Sequence, residues 1–489
     1  MSTLPGADDA ELARVRRESN SGPFTNDWPS LQTYQVPAWY EDAKFGIFVH
    51  WGAYSVPAFD TEWYARNMYQ EGTPAYEHHR KTYGPQSEFG YKDFIPLFTA
   101  ENFDPDNWAA LFKQAGAQFV VPVAEHHDGF AMYETARTRW NAVAMGPKRD
   151  VIGELAAAVR RQSLVFGLSS HRAEHWWFMN GGWQFDSDVR DPANADLYGP
   201  AAAQEARPHE QFLEDWLLRT VELVDRYRPQ LVWFDWWIEQ PAFEVYRREF
   251  AAYYYNKAAQ WDRGVVINYK LDAYPPGAAV FDIERGHLGD VRTAVWQNDT
   301  SVGRTAWSWI DAHQYKTLPE LVGELVDVVA KNGVLLLNIG PKPDGTIAPV
   351  ERELLAGMGR WLGVNGEAIF GTRPWRVAGE GPTRLAEGSF TDASPMEFTA
   401  ADIRFTRRAA AAGDDLYAIA LGWPDDSVLR VRAWGSGSGL LGCEIRSVDV
   451  VGHIGAVEYE QTSDALMIVL PAVRPSEYGV AVKLSLAVR

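Results

Sequence analysis

The sequence predicts an α/β fold, an irregular (β/α)8-type barrel followed by a C-terminal antiparallel β-sandwich, and three observations carry that prediction. Short apolar runs alternate with longer helix-like segments as far as about residue 372. From about Arg373 the helical spacing vanishes and period-two alternation takes over. The 489 residues suffice for two domains, one of them large. The expected organisation is a polar leader over 1–30, a catalytic barrel over 31–372 and a β-sandwich over 373–489.

The barrel strands follow in order. FGIFVHW (45–51), QFVVPVAE (118–125), VFGLSSH (165–171) and LVWFD (231–235) come first, then GVVINYK (264–270), AVFDIE (279–284), AVWQND (294–299) and VLLLNIG (334–340). Runs that are apolar at successive positions expect burial on both faces, the condition of a parallel sheet wrapped by helices. Helices are expected at 107–116, 151–162 and 209–229, the last stopped by Pro229 just before a strand. The links between strands five, six and seven look short for full helices, hence an irregular barrel. The sandwich strands are expected at 415–421, 427–434, 456–461, 465–471 and 478–488, separated by Gly, Pro and Asp turns.

Composition narrows the function. A formal net charge of −19 argues against nucleic acid or an anionic membrane as partner. Cys443 is the one cysteine, so no intrachain disulfide framework exists. The N-terminal segment has no apolar signal core and no long apolar run occurs elsewhere, so a soluble cytoplasmic protein is expected. The 21 tryptophans are an unusual number and, with 21 tyrosines, suggest flat apolar surfaces for stacking, although most of the tryptophans are expected to fill the core. Flat apolar faces of this kind suit sugars, whose C–H faces are apolar and whose hydroxyls need polar partners.

In barrels of this type the chemistry sits at the C-terminal strand ends. Those ends carry His50, His126 with His127, His171, Asp235 and Glu284. One reading is metal-assisted hydrolysis with His and Asp ligands. It is the weaker one: His126 and His127 are adjacent, and adjacent strand side chains point to opposite faces. The other is glycoside hydrolysis by two carboxylates, one ionised and one protonated. Neutral histidines then hold hydroxyls, since each ring both donates and accepts. This reading needs no metal or organic cofactor.

Several segments resemble the family 29 glycoside hydrolases, the α-L-fucosidases. They are KFGIFVHWGAYSVPAFDTEWY (44–64), AEHHDGFAMY (124–133), LVDRYRPQLVWFDWW (223–237), VVAKNGVLLLNIGPKPDGTI (328–347) and RWLGVNGEAIFGTRPW (360–375). Their order spans the whole barrel. The resemblance implies a retaining hydrolase of α-L-fucosyl residues on oligosaccharides or glycoconjugates. It implies Asp235 as nucleophile, and His50, His126, His127, Glu62, Trp63 and Trp233 as sugar contacts. Two positions depart from the family pattern. SSHRAEHWWF (169–178) stands where many relatives carry a Tyr after the third strand, which puts His171 there. AWSW (306–309) stands for a Ser-Trp-Gly-Tyr pattern and offers Trp307 as a pocket wall. Glu284 is the chosen acid/base, with Asp282, Glu239 and Asp272 as competitors. The rival from another class is a non-catalytic fucose-binding protein on a decayed hydrolase barrel. The C-terminal domain is expected to be structural, with a contribution to the leaving-group side left open.

Overall fold

The computed structural model describes residues 7–409 and 413–486. Eight strands close into a barrel in sequence order: β1 (Phe45–Val49), β2 (Phe119–Glu125), β3 (Val165–Ser170), β4 (Leu231–Phe234), β5 (Val266–Tyr269), β6 (Val280–Glu284), β7 (Trp296–Ser301) and β8 (Gly333–Ile339). Every neighbouring pair is parallel, and β8 closes against β1. Each lies within or across one of the expected runs.

The apolar runs work because both faces are used. In β1, Phe45, Ile47 and Val49 pack outward against the helical layer, whereas Phe48 points into the barrel. In β8, Leu335, Leu337 and Ile339 go outward and Val334 and Leu336 inward. The inner core is completed by Val121, Val123, Trp233, Val266 and Val280, so the barrel floor is filled with side chains.

The helical layer comprises α1 (Ala7–Glu18), α2 (Pro105–Gln114), α3 (Val151–Arg161), α4 (Glu210–Tyr227), α5 (Glu244–Trp261), α6 (Leu318–Ala330) and α7 (Pro349–Asn365), with shorter turns between. Their starts are chemically marked. Asp104 and Asp150 accept from the N–H groups of Asn107 and Gly153, and Thr317 with Glu320 forms a capping box. No helix occupies 270–279 or 285–295, so β5, β6 and β7 are joined by loops alone, as the short links predicted.

The segment read as a polar leader contains α1, which packs on the barrel's outside. Leu12 and Val15 are buried, and Arg14 reaches Tyr253 on α5 and Asp225 on α4. Two apolar residues among charges leave too faint a stripe to mark a helix from sequence. Among the described residues no helix is long and apolar enough to cross a membrane.

Beyond the barrel, β9 (Arg373–Glu380), β10 (Ile403–Arg408), β11 (Asp415–Ala420), β13 (Ile445–Val450) and β16 (Val480–Leu486) form one antiparallel sheet in the order β13-β16-β11-β10-β9. β12 (Val428–Val431), β14 (Tyr459–Gln461) and β15 (Leu466–Val469) form a second in the order β12-β15-β14. Trp375, Phe405, Leu416, Val431, Trp434 and Ile468 share the core between them. Residues 487 and 488 of the last expected run lie outside the described residues. β9, β10 and β13 were not foreseen as strands. The connection from β9 to β10 does not stay with the sandwich. It returns to the barrel mouth, where Gly388 and His287 exchange backbone hydrogen bonds of 2.9 and 3.1 Å.

Candidate active site

A cavity of about 620 Å³ opens at the C-terminal end of the barrel. Side-chain parity builds it. Trp233 points inward, so Asp235 two residues later does too; Phe48 precedes His50, Ser169 precedes His171, Asn268 precedes Lys270 and Asp282 precedes Glu284. His50, Glu62, Trp63, His126, His127, Trp233, Asp235, Glu284 and Trp307 all line the cavity.

The adjacent pair His126 and His127 corrects an expectation. Both rings reach the cavity, with centroids 4.2 Å apart. The register of β2 against β3 shifts between Val123 and Glu125, and this irregularity resets the alternation. Glu125 is thereby turned to Arg172 and Arg219, at 3.0 and 3.2 Å, and the two histidines follow as the chain leaves the strand.

Asp235 is 9% exposed and fully engaged. Its Oδ2 accepts from His171 Nδ1 at 2.8 Å and its Oδ1 from the Trp236 N–H at 2.8 Å. Burial alone would raise its pKa; the His171 hydrogen bond and the charges of His127 and Lys270 override that and hold it far below the usual carboxylate range. His171 accordingly differs from its predicted role as a sugar ligand. It is buried, its Nδ1–H is committed to Asp235, and its Nε2 faces Ser169 Oγ at 2.9 Å. Burial lowers it to about 4 against the pull of Asp235, so it is a neutral donor that orients the carboxylate.

His127 is the histidine of the site whose pKa is raised. Burial disfavours its cation, but Glu174 Oε2 at 3.3 Å from Nδ1 and Asp235 Oδ2 at 3.6 Å from Nε2 outweigh that and lift it to about 9. His50 and His126 are driven well below the ordinary histidine value, first by burial and then by their histidine neighbours. His50 Nδ1 donates to Asn338 Oδ1 at 2.8 Å, an orientation fixed because Asn338 Nδ2 donates to the Trp307 carbonyl at 2.6 Å. His50 Nε2 is then left as an acceptor, and His126 Nδ1 has no partner among the described residues.

Glu284 is the counterpart of Asp235. Burial raises it, Lys270 Nζ at 3.5 Å resists and Asp235 adds to the rise, leaving it at about 7. The competitors are differently placed. Asp282 lies one inward position deeper, accepting from Trp233 Nε1 at 3.0 Å and Gln297 Nε2 at 3.0 Å. Glu239 and Asp272 do not line the cavity. Glu62 is a buried carboxyl raised by burial and partly restored by N–H donors, including Trp307 N–H at 2.9 Å.

Several residues of the site went unread in the sequence. Lys270 is 4% exposed and bridges Asp299, Asp282 and Glu284 at 2.6, 2.9 and 3.5 Å. Its position at the end of β5 obeys the same strand-end rule as Asp235. Arg285, Arg304, Ser389, Phe390 and Asp392 also line the cavity, the last three from the β9–β10 connection. Among the described residues two groups have metal-ligand spacing, His50 with His126 and His171, and His127 with His171 and Asp235, their ligand atoms within 4.8 Å. Both groups share His171, whose ring nitrogens already serve Asp235 and Ser169, so an ion there would compete with the hydrogen bond that orients Asp235.

Comparison with known proteins agrees with this geometry. A family model described as alpha-L-fucosidase matches residues 11–367, and one described as alpha-L-fucosidase C-terminal domain matches 396–488. A tissue alpha-L-fucosidase of Rattus norvegicus is 32% identical over 474 residues, covering 94% of this chain and 90% of the relative. A Thermotoga maritima alpha-fucosidase structure in complex with a mechanism-based inhibitor superposes with a TM-score of 0.75 at 30% identity, covering 94% of this chain and 99% of the other. A structure of the same enzyme in complex with fucose gives 0.73 at 31% identity, covering 94% and 100%. From residue 11 to residue 367, and again from 396 to 488, this chain belongs to the α-L-fucosidase family.

Proposed function

We propose that this chain is a retaining exo-glycosidase that releases terminal α-L-fucosyl residues from oligosaccharides or glycoconjugates. One observation carries the reading: two buried carboxyl groups line a single cavity in environments that push their pKa values apart, Asp235 held far below the usual range by His171, His127 and Lys270 and Glu284 raised by burial to about 7. Asp235 attacks the anomeric carbon and forms a fucosyl ester, while Glu284 gives its proton to the departing oxygen. Glu284, now ionised, takes a proton from water, which cleaves the ester and releases L-fucose with retained configuration.

The surroundings serve this sequence. His171 and His127 hold Asp235 oriented and ionised, so its attacking lone pair is aimed before substrate arrives. His50 Nε2 and His126 Nδ1 meet hydroxyls, and Trp63, Trp233 and Trp307 exclude water and face the ring. That fucose is the sugar rests on family membership and on the fucose-bound relative, and retention of configuration rests on family membership, since a carboxyl pair as such serves inverting enzymes too.

The test is hydrolysis of an aryl α-L-fucoside by wild type, Asp235→Ala and Glu284→Ala, with azide added and the product anomer determined. Asp235→Ala is expected to lose roughly a thousandfold or more in kcat and to yield β-fucosyl azide on rescue. Glu284→Ala is expected to yield the α-azide. Activity of Asp235→Ala equal to wild type would refute the assignment. Fucose binding without turnover by wild type would favour the non-catalytic rival.

A further inference from the structure

Apolar surface is concentrated on one side of the cavity mouth. Leu271 is 58% exposed and Phe390 64% exposed, and both line the cavity that holds Asp235 and Glu284. Phe390 lies in the β9–β10 connection, far from the barrel in sequence, yet it is tied directly to the acid's strand. Its N–H donates to the Glu284 carbonyl at 2.9 Å, and the Thr391 N–H donates to the Arg285 carbonyl at 2.8 Å. Two residues on, Asp392 is buried and accepts from Arg285 Nε at 3.0 Å, Lys316 Nζ at 2.6 Å and Thr300 Oγ1 at 2.6 Å.

These bonds hold Phe390 at a φ of +57°, a conformation that bulky residues rarely adopt. A phenyl ring fixed in water beside a catalytic acid has its explanation in what it meets. The acid protonates the departing oxygen, so matter on its side of the scissile bond belongs to the leaving group. A pyranose offers an apolar C–H face to an aromatic ring and hydroxyls at its rim. Polar partners for those hydroxyls are at hand, since Ser389 and Arg304 line the same cavity and Arg304 Nη1 has no partner in the protein.

We propose that Phe390, together with Leu271, is a stacking platform for the first sugar of the leaving group, making this chain selective for fucose borne on another pyranose. The proposal rests on the fucosidase reading and names the aglycone of that same site. It also gives the C-terminal segment a specificity role, since the residue comes from beyond the barrel.

The experiment compares wild type, Phe390→Ala and Phe390→Tyr on α-L-fucosyl fluoride and on α-L-fucosyl-hexopyranose disaccharides of different linkage. Fluoride is too small to touch the platform, so it reports the fucose site and Asp235 alone. Phe390→Ala is expected to keep kcat/KM on the fluoride within about twofold and to lose roughly threefold to tenfold on the best disaccharide, the range of one aromatic contact. Phe390→Tyr is expected to restore the disaccharide rate. Equal loss on both substrates, no loss on either, or wild type that cleaves the fluoride but no disaccharide overturns the platform alone. Wild type that cleaves nothing overturns the fucosidase reading and the platform with it.

Discussion

At the scale of single residues, the site is a set of charges sorted by burial. With Glu284 at about 7 and Asp235 far below it, Glu284 loses its proton as pH rises through neutrality, whereas Asp235 stays ionised into strongly acidic solution. The pH profile of kcat/KM should therefore fall above pH of about 7, by about tenfold per unit, with its acidic limb well below the ordinary carboxylate range. Lys270 tunes this limb, because its cation lowers Glu284. Lys270→Met should move the alkaline limb upward, and it should also reduce stability by about 3–5 kcal/mol because Asp282 and Asp299 lose their buried counter-ion. An alkaline limb that stays in place in the variant would mean that Glu284 is not the titrating acid. His171→Phe gives the complementary expectation: without the donor at 2.8 Å, Asp235 rises and the acidic limb shifts to higher pH.

At the scale of elements, strand parity made most of the site readable. His50, His171, Asp235 and Glu284 each follow an inward residue by two positions, so locating the strands located them. Lys270 obeys the same rule, but a lysine at a strand end carries nothing in the sequence that separates it from the many lysines of a surface. The shift in β2 had one mark in the sequence, Pro122, since a proline inside a central strand belongs at a bulge, but Pro122 does not say where alternation resets. β10 was illegible for another reason: Arg404 looks like surface, yet it is 6% exposed and pairs with Asp327 of α6 at 2.6 Å. A charge buried against another element erases the alternating pattern that identifies a strand. The β9–β10 connection makes an element-scale prediction of its own. Asp392→Ala leaves Arg285 and Lys316 short of their partner, so the denaturant midpoint should fall by an amount worth about 3–5 kcal/mol. An unchanged midpoint would show that the connection is not anchored by this pair.

At the scale of the whole molecule, the barrel and the sandwich are joined by ion pairs as well as by chain. Arg404 of β10 meets Asp327 of α6, and Arg373 of β9 meets Glu41 and Asp42 ahead of β1, at 3.1 and 2.7 Å. β9 begins at Arg373, and the site reaches past it to Asp392 and Ala393. Exhaustive dialysis against a chelator should leave aryl fucoside hydrolysis within about twofold of the untreated rate, since the two-carboxylate route uses no ion. A loss restored by a divalent cation would instead assign the histidine groups to metal.

The strap that carries Phe390 has a further meaning when the chain is considered in the order in which a ribosome makes it. Domains form in the direction of synthesis, so the barrel's eight strands are all available before residue 390 leaves the exit tunnel. Such a nascent barrel holds Asp235 and Glu284 but not the wall beside them, and Lys316 and Arg285 still await Asp392. The mouth is thus the last part of the molecule to be assembled.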